Sequence, residues 1–382
     1  MHLATRIPRQ FLLDALWLAS YACAAATFTD QPLSYKVKNS DGNTVMVKIP
    51  YIVSDNKVVA QRINMFLHQQ LLKTVPPADI GNAAARVAEL DWTVGSLDSS
   101  GIELLNGGRT LSVSVAMEGC GAYCTESTPT YNFDVRNGRV LVKAEIITPQ
   151  GRLALAALAI KLHGARLRAE IARLRKPGYR HEFLSEEEFA EQRDTYERCL
   201  SERYVKGGDS YQYSLQDPGE MSIDDGGLTF VQGECAIHAL RALDDLGAYS
   251  LVLQGEQMRP YLSAYGRYLL LGEGDGAMPA INPYAQIYKG RINHTIAITL
   301  YIGNDEPGGV FNSPYSGARY LYDKYRLPIE LTETRNGDQI VLTESASTDT
   351  PKPTLSFRVQ GGKLVGQWSG GGKTYPFEAE PD

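Results

Sequence analysis

The sequence predicts an α+β fold: a mixed α/β first domain with an antiparallel sheet and a helical pair, then an antiparallel β-meander forming a bent sheet or a small barrel. Three observations predict it. Alternating runs bounded by Asn-Gly and Gly-Gly turns recur between residues 33 and 146. Apolar residues fall at helical spacing in 57–71 and again in 151–198. From residue 285 onward every segment alternates with period two and is separated from the next by a short turn.

The elements follow in order. "LSYKVKNSDGNTVMVKIPYIV" reads as a hairpin divided at Asn39–Gly42. "NKVVAQRINMFLHQQLLK" puts Val59, Ile63, Phe66, Leu67 and Leu71 on one helical stripe, and Pro76 and Pro77 stop it. His68, among glutamines beside that stripe, reads as an exposed helix residue. Strands are expected near 86–96, 101–105, 110–118, 128–135 and 139–146, with "LNGGR" and "RNGR" as turns.

A helical pair comes next. "RLALAALAIKLHGARLRAEIARLRK" aligns Leu153, Ile160, Leu167, Ile171 and Leu174, and "SEEEFAEQRDTYERCL" opens on a Ser185/Glu188 capping box. Residues 151–180 hold eight Lys or Arg and one acid, while 181–198 hold seven acids and two Arg. Adjacent blocks of opposite sign predict antiparallel helices whose charges face each other. "SIDDGGLTF" is a turn between strands, with Asp224 and Asp225 as turn residues, and "EQMRPYLSAYGRYLL" is a short amphipathic helix. The Gly/Pro-rich stretch after it marks a boundary. The expected division is 27–270 for the first domain, 271–284 for a linker and 285–382 for the β domain.

Residues 1–26 read as a secretory signal peptide. Arg6 and Arg9 precede the apolar run Phe11–Ala26, which ends in small residues and is blemished by Asp14. Ser20, Tyr21 and Ala22 make a poor lipobox before Cys23. Removal of this segment leaves Cys120, Cys124, Cys199 and Cys235. An even count in an exported chain reads as disulfides, and three pairings are possible. The simplest is Cys120–Cys124 with Cys199–Cys235. A zinc site at Cys120 and Cys124 lacks further ligands at short spacing, and their separation is not that of a redox Cys-x-x-Cys.

The net charge of −6 argues against a general nucleic-acid binder. The 22 tyrosines outnumber Phe and Trp together, which suits strand positions with one wet edge. No Gly-x-Ser-x-Gly, His-Glu-x-x-His or dinucleotide fingerprint is present, and His68, His163, His181, His238 and His294 are scattered. No catalytic, cofactor-binding or metal-binding residue is nominated, and no cofactor is expected.

Residues 33–270 resemble an extracellular family of unknown function. That family forms the outer half of a lysozyme-sensing anti-sigma factor and precedes the catalytic domain of some peptidoglycan deacetylases. The resemblance rests on "VVAQRINMFLHQQLL", "LSVSVAMEGCGAYCTESTPTYNFDVRNGRVLVKAEI", "SIDDGGLTFVQGECA" and "EQMRPYL". Where the family carries a Gly-Gly-Ala-His type segment this chain has "GCGAYC", so Tyr123 stands in place of the histidine. "SGARY", Ser316–Tyr320, is similar to the signature of C-type lysozyme inhibitors, though that family's cysteines and downstream segment are absent. The two resemblances imply lysozyme or a cell-wall component as partner, with Ser316 and Arg319 as the contact residues. The expected function is an exported cell-envelope binding or structural protein, periplasmic or secreted. The competing class is an enzyme acting on cell-wall glycan.

Overall fold

The computed structural model describes residues 27–38, 44–77, 102–120, 124–179, 184–224, 226–279, 283–303 and 317–382. The expected signal peptide, the 86–96 strand, the Asn39–Gly42 turn, His181, Asp225 and Ser316 lie outside them.

Strands β1 (Phe28–Asp30) and β4 (Ile52–Ser54) pair, as do β2 (Leu33–Lys38) and β3 (Thr44–Ile49). Helix α1 (Lys57–Leu71) follows, with the Asn56 side chain accepting from the Val59 N–H. The expected stripe is its buried face. His68 corrects its reading as exposed. It is fully buried, between the Tyr35 hydroxyl on Nε2 and the Asn64 carbonyl on Nδ1, both at 2.9 Å. Burial lowers its pKa to about 4. Its glutamine neighbours disguised a core position, because Gln69 is buried too.

Strands β5 (Ile102–Asn106), β6 (Thr110–Val115) and β9 (Thr130–Asp134) form one antiparallel sheet, and β7 (Met117–Cys120) pairs with β8 (Cys124–Ser127). The strand expected over 139–146 stops early. Val140 bridges to Phe133 and the Leu141 N–H reaches the Asn132 carbonyl, but Lys143–Ile146 then coils into a helical turn, α2. Lys143 there binds Asp217 at 2.6 Å and Glu145 binds Arg139, contacts an extended strand would not make.

Helix α3 (Pro149–Leu174) buries Leu155, Ala159, His163, Leu167, Ile171 and Leu174, whereas Leu153, expected on that stripe, is exposed. Helix α4 (Glu186–Cys199) opens on the expected capping box and runs into a π-helical turn, Leu200–Tyr204. Between α3 and α4 the described charge contact is Arg175 with Glu197, at 2.9 Å. Arg173 instead binds Glu170 of its own helix, and Arg166 donates to the Leu246 carbonyl at 2.7 Å. The short helix α5 (Tyr211–Ser214) precedes the meander β10 (Glu220–Asp224), β11 (Gly227–Gln232) and β12 (Tyr249–Leu253). "EQMRPYLSAYGRYLL" splits at Pro260. A 3-10 turn at Gly255–Gln257 precedes it, and the Ser263 hydroxyl caps a fresh helix, α6 (Ala264–Leu271).

The C-terminal strands close into an eight-stranded antiparallel barrel in sequence order. They are β13 (Gln286–Ile292), β14 (Ile296–Ile302), β15 (Ala318–Tyr322), β16 (Pro328–Asn336), β17 (Gln339–Glu344), β18 (Thr354–Gln360), β19 (Lys363–Gly370) and β20 (Lys373–Pro381). Closure occurs because β20 pairs back onto β13, which leaves no sheet edge. Strands β13 and β14 form a hairpin in which Ile292 pairs with Ile296, and Asn293 and His294 of the three-residue connection take left-handed φ values of 51° and 59°.

Inward-facing barrel residues, among them Ile292, Leu300, Leu342, Phe357 and Phe377, fill the interior. Outward-facing Ile287, Tyr301 and Leu321 join a different core, shared with Ile63, Phe66 and Leu67 of α1. The barrel wall therefore packs against the first helix, with the Phe66 ring edge-on to Tyr301 at 6.1 Å.

Candidate functional site

The two ends of the barrel differ. At one end Tyr284 caps the interior. It is buried, its hydroxyl donates to Glu333 at 2.8 Å, and the Arg335 guanidinium lies 4.4 Å from its ring centroid. Tyr288 beneath it donates to the Pro283 carbonyl at 3.2 Å.

The opposite end is ringed by the connections after β13, β15, β17 and β19, and presents a polar aromatic group. Tyr320 and Tyr322 come from β15, Glu344 from β17, Trp368 from β19 and Tyr375 from β20. Tyr322, Trp368 and Tyr375 are half-buried and pack on the interior core. Trp368 and Tyr375 are register partners across β19 and β20, so their rings stack, 6.0 Å apart and 15° from parallel. The indole also lies along its own strand. A Cβ on Gly370 would stand 2.8 Å from two of its ring carbons, so glycine there makes room for it. The indole N–H is buried and has no acceptor among the described residues.

On β15 the Tyr320 hydroxyl donates to Glu344 at 2.5 Å and lies 3.2 Å from the Tyr322 hydroxyl. Burial pushes the Tyr320 phenol far up, so it stays a donor. Tyr322 in turn meets the exposed Tyr325 edge-on, at 6.4 Å. This end thus holds stacked, half-buried rings and a carboxylate with acceptor capacity to spare.

A second polar cluster lies where β9 and α6 meet the segment leading to the barrel. Asp134, fully buried, accepts from Tyr265 at 2.6 Å and binds Arg136 through both carboxylate oxygens. Arg136 stacks over Tyr268 at 4.4 Å and donates to the Gly276 carbonyl at 3.0 Å. Nearby, Arg139 pairs with Glu145, whose second oxygen has no partner among the described residues. Desolvation outweighs the attraction of Arg139 and raises the Glu145 pKa to about 7. The cluster ties β9 to α6 and to the segment before the barrel, with Asp134 buried and Arg136 exposed.

A third cluster is His163. It is fully buried, stacks on Tyr249 at 4.8 Å and shares Nδ1 with the Tyr204 hydroxyl and Gln232. Burial lowers its pKa to about 4.

The residues singled out in the sequence are dispersed. Cys199 and Cys235 form a disulfide that ties α4 to the segment after β11. Cys120 and Cys124 are register partners at the end of the β7–β8 hairpin, and their side chains lie outside the described residues. Arg319, nominated for a partner's cleft, is 4% exposed and bound to Gln69. Asp224 accepts from Ser222 at the β10–β11 turn. Among the described residues no group of three His, Cys, Asp or Glu is placed to hold a metal. The barrel-end residues were present in the sequence only as alternate positions of strands. What separates them is that Trp368 and Tyr375 face each other across a Gly-Gly-Gly turn, a pairing legible only once the register is known.

No protein-family model matches the chain, and no curated protein matches it. A solved structure of a DUF3298 family member from Bacteroides fragilis is similar over 63% of this chain and 94% of its own, at 14% identity and a TM-score of 0.36.

Proposed function

We propose that this chain is an exported cell-envelope protein that binds its ligand rather than transforming it, and takes that ligand at the end of the barrel opposite Tyr284. The observation that carries the reading is the pair of half-buried aromatic rings stacked there, Trp368 and Tyr375, 6.0 Å apart and 15° from parallel. The mouth of a β-barrel is a common place for such a ligand.

Export is supported by the leader-like residues 1–26 and by the Cys199–Cys235 disulfide, which suits an oxidising compartment. Among the described residues no helix is long and apolar enough to cross a membrane. Glycan hydrolysis calls for a pair of carboxyl groups across the scissile bond. Of the described inward-facing side chains at this end, Glu344 is the acid. That favours binding over hydrolysis.

The test is retention of the mature protein on isolated envelope material, wild type against Trp368→Ala. Loss of retention in a folded variant is the expected result. Release of soluble fragments by wild type but not by Glu344→Gln would replace binding with hydrolysis. C-type lysozyme belongs in the same assay. Binding to it that survives Trp368→Ala would move the ligand face away from the barrel end.

A further inference from the structure

We infer that the groove between α3 and the C-terminal part of α4 is a separate binding site, apart from the barrel, for a single-chain anionic amphiphile: a carboxylate or phosphate head on an apolar tail. The groove has a volume of about 630 Å³, which is within the range of small-molecule sites. One wall is the α3 face Arg168, Ile171, Ala172 and Arg175, spaced i, i+3, i+4 and i+7. The other is Glu197 of α4, Leu200 of the π-helical turn and Val205 just after it. Arg175 meets Glu197 at one end and Gly164 lies against Tyr204 toward the other, so the two walls run antiparallel.

The groove is polarised along its length. Its middle is apolar, with Ile171, Ala172 and Leu200. One end is closed by charge: Arg175 and Arg193 both turn to Glu197, at 2.9 Å and 3.6 Å, so that carboxylate is neutralised. At the other end Arg168 is exposed and has no hydrogen-bond or ion-pair partner among the described residues. A Cβ on Gly164 would stand 3.4 Å from both the Arg168 Nη1 and the Tyr204 Cβ, so glycine lets the guanidinium fold back beside the π-helical turn. Val205, which follows Tyr204, is 46% exposed and leaves apolar surface open to solvent there.

A guanidinium fork matches two oxygens of a carboxylate or phosphate. The seven residues from Arg168 to Arg175 span about 10 Å of helix, which sets the length of tail that lies over Ile171, Ala172 and Leu200. The Ser201 hydroxyl already donates to the Arg198 carbonyl at 2.8 Å, so the head must be held by guanidinium. Lys161, exposed on the same α3 face seven residues before Arg168 and also without a described partner, adds attraction for an anion. A polyanion would use these cations but not the apolar floor, and a neutral ligand would use the floor but not Arg168.

The test is calorimetry of the mature protein at about 150 mM salt, where steering is screened, with amide NMR signals followed in parallel. The probes are dodecanoate, dodecyl phosphate, dodecyl maltoside, dodecyltrimethylammonium and inorganic phosphate, each too dilute to form micelles. The expected result is saturable binding of dodecanoate or dodecyl phosphate, with shifts confined to residues 164–175 and 197–205. Arg168→Gln should weaken it about tenfold or more, the worth of a charge-assisted hydrogen bond. Ala172→Phe, at an exposed helix position, should fill the groove and abolish binding while urea unfolding stays as in wild type. Binding of no probe would overturn the inference, as would equal binding of the maltoside or indifference to Arg168→Gln. Shifts at Trp368 instead would move the site to the barrel end. Binding only to anionic vesicles or to heparin would make this face a lipid-surface or polyanion site. Self-association blocked by Ala172→Phe, without amphiphile binding, would give the groove to a second copy of the chain.

Discussion

Arg319 on the barrel wall donates from Nε to the Gln69 side chain of α1 at 3.3 Å, and from Nη2 to the Gln69 carbonyl. Its guanidinium also lies 4.7 Å from the Tyr301 ring centroid. A residue read as a lysozyme contact is thus a bolt between the first helix and the barrel. Burial lowers its pKa, the Tyr301 ring opposing the shift. Replacing it with alanine leaves the Gln69 carbonyl unpaired and a void beside Tyr301. Arg319→Ala should cost about 2–4 kcal/mol in urea unfolding. Arg319→Met, which refills the volume, should cost less. Equal losses for both would place the interaction in the hydrogen bonds rather than in packing.

The disulfides separate by loop length. Cys199 and Cys235 are 36 residues apart with Cα atoms 5.4 Å apart, so the bridge is worth about 4 kcal/mol in the loop-entropy account. Cys120 and Cys124 face each other in register, and opposed antiparallel positions fall within disulfide reach. Non-reducing peptide mapping should recover both bridges. Substituting serine for both members of the short pair should cost about 2 kcal/mol, half the loss for the long one. Free thiols at Cys120 and Cys124 in oxidised protein would sink the short bridge.

Much of the architecture was legible. The α1 stripe, the Ser185 capping box and the strands of the C-terminal meander follow from period and turn chemistry, which act locally. What failed depended on tertiary partners. His68 looks exposed among glutamines, and only the docking of Tyr35 and the barrel wall makes that face interior. The strand expected over 139–146 is curled by Arg139, Glu145, Lys143 and Asp217, whose pairing no period announces. The aromatic end of the barrel was illegible for the same reason. Tyr320, Glu344, Trp368 and Tyr375 come from four strands, and the closed register brings them together.

Acid and neutral pH act on the fold with opposite signs. His68 and His163 have folded pKa values near 4, below the ordinary 6.5, so the stability they contribute is present above pH 6.5 and lost as pH falls toward 4. Glu145 is raised from 4.5 to about 7, so its contribution is present below pH 4.5 and lost as pH rises through 7. Glu145→Gln removes only the second effect. Its stability relative to wild type should therefore climb between pH 4.5 and 7, by about 3 kcal/mol in all. Urea unfolding of both proteins at several pH values measures the difference. A flat difference would mean that Arg139 fully compensates the buried carboxylate.

Asn132 offers the sharpest test of how the β5–β6–β9 sheet and the β10–β11–β12 sheet hold together. It is fully buried on β9 and bridges to β10, a strand of a different sheet. Its Oδ1 accepts from the Ile223 N–H at 3.0 Å and from the Ser112 hydroxyl at 2.8 Å, and its Nδ2 donates to the Met221 carbonyl at 3.1 Å. One amide side chain thereby pairs edge groups that a further strand would otherwise satisfy. Asn132→Ala strands a buried N–H and a buried carbonyl, and should cost about 3 kcal/mol. Asn132→Asp keeps the acceptor but turns the donor into a second acceptor facing the Met221 carbonyl. Its loss should shrink as pH falls and the carboxyl protonates, since the acid can then donate. Ser112→Ala removes one bond of the set and should cost about 1 kcal/mol. A larger loss for Ser112→Ala than for Asn132→Ala would show that the Ser112 hydroxyl, whose single hydrogen is shared between Asn132 and the Ile223 carbonyl at 2.6 Å, is the main tie between the sheets.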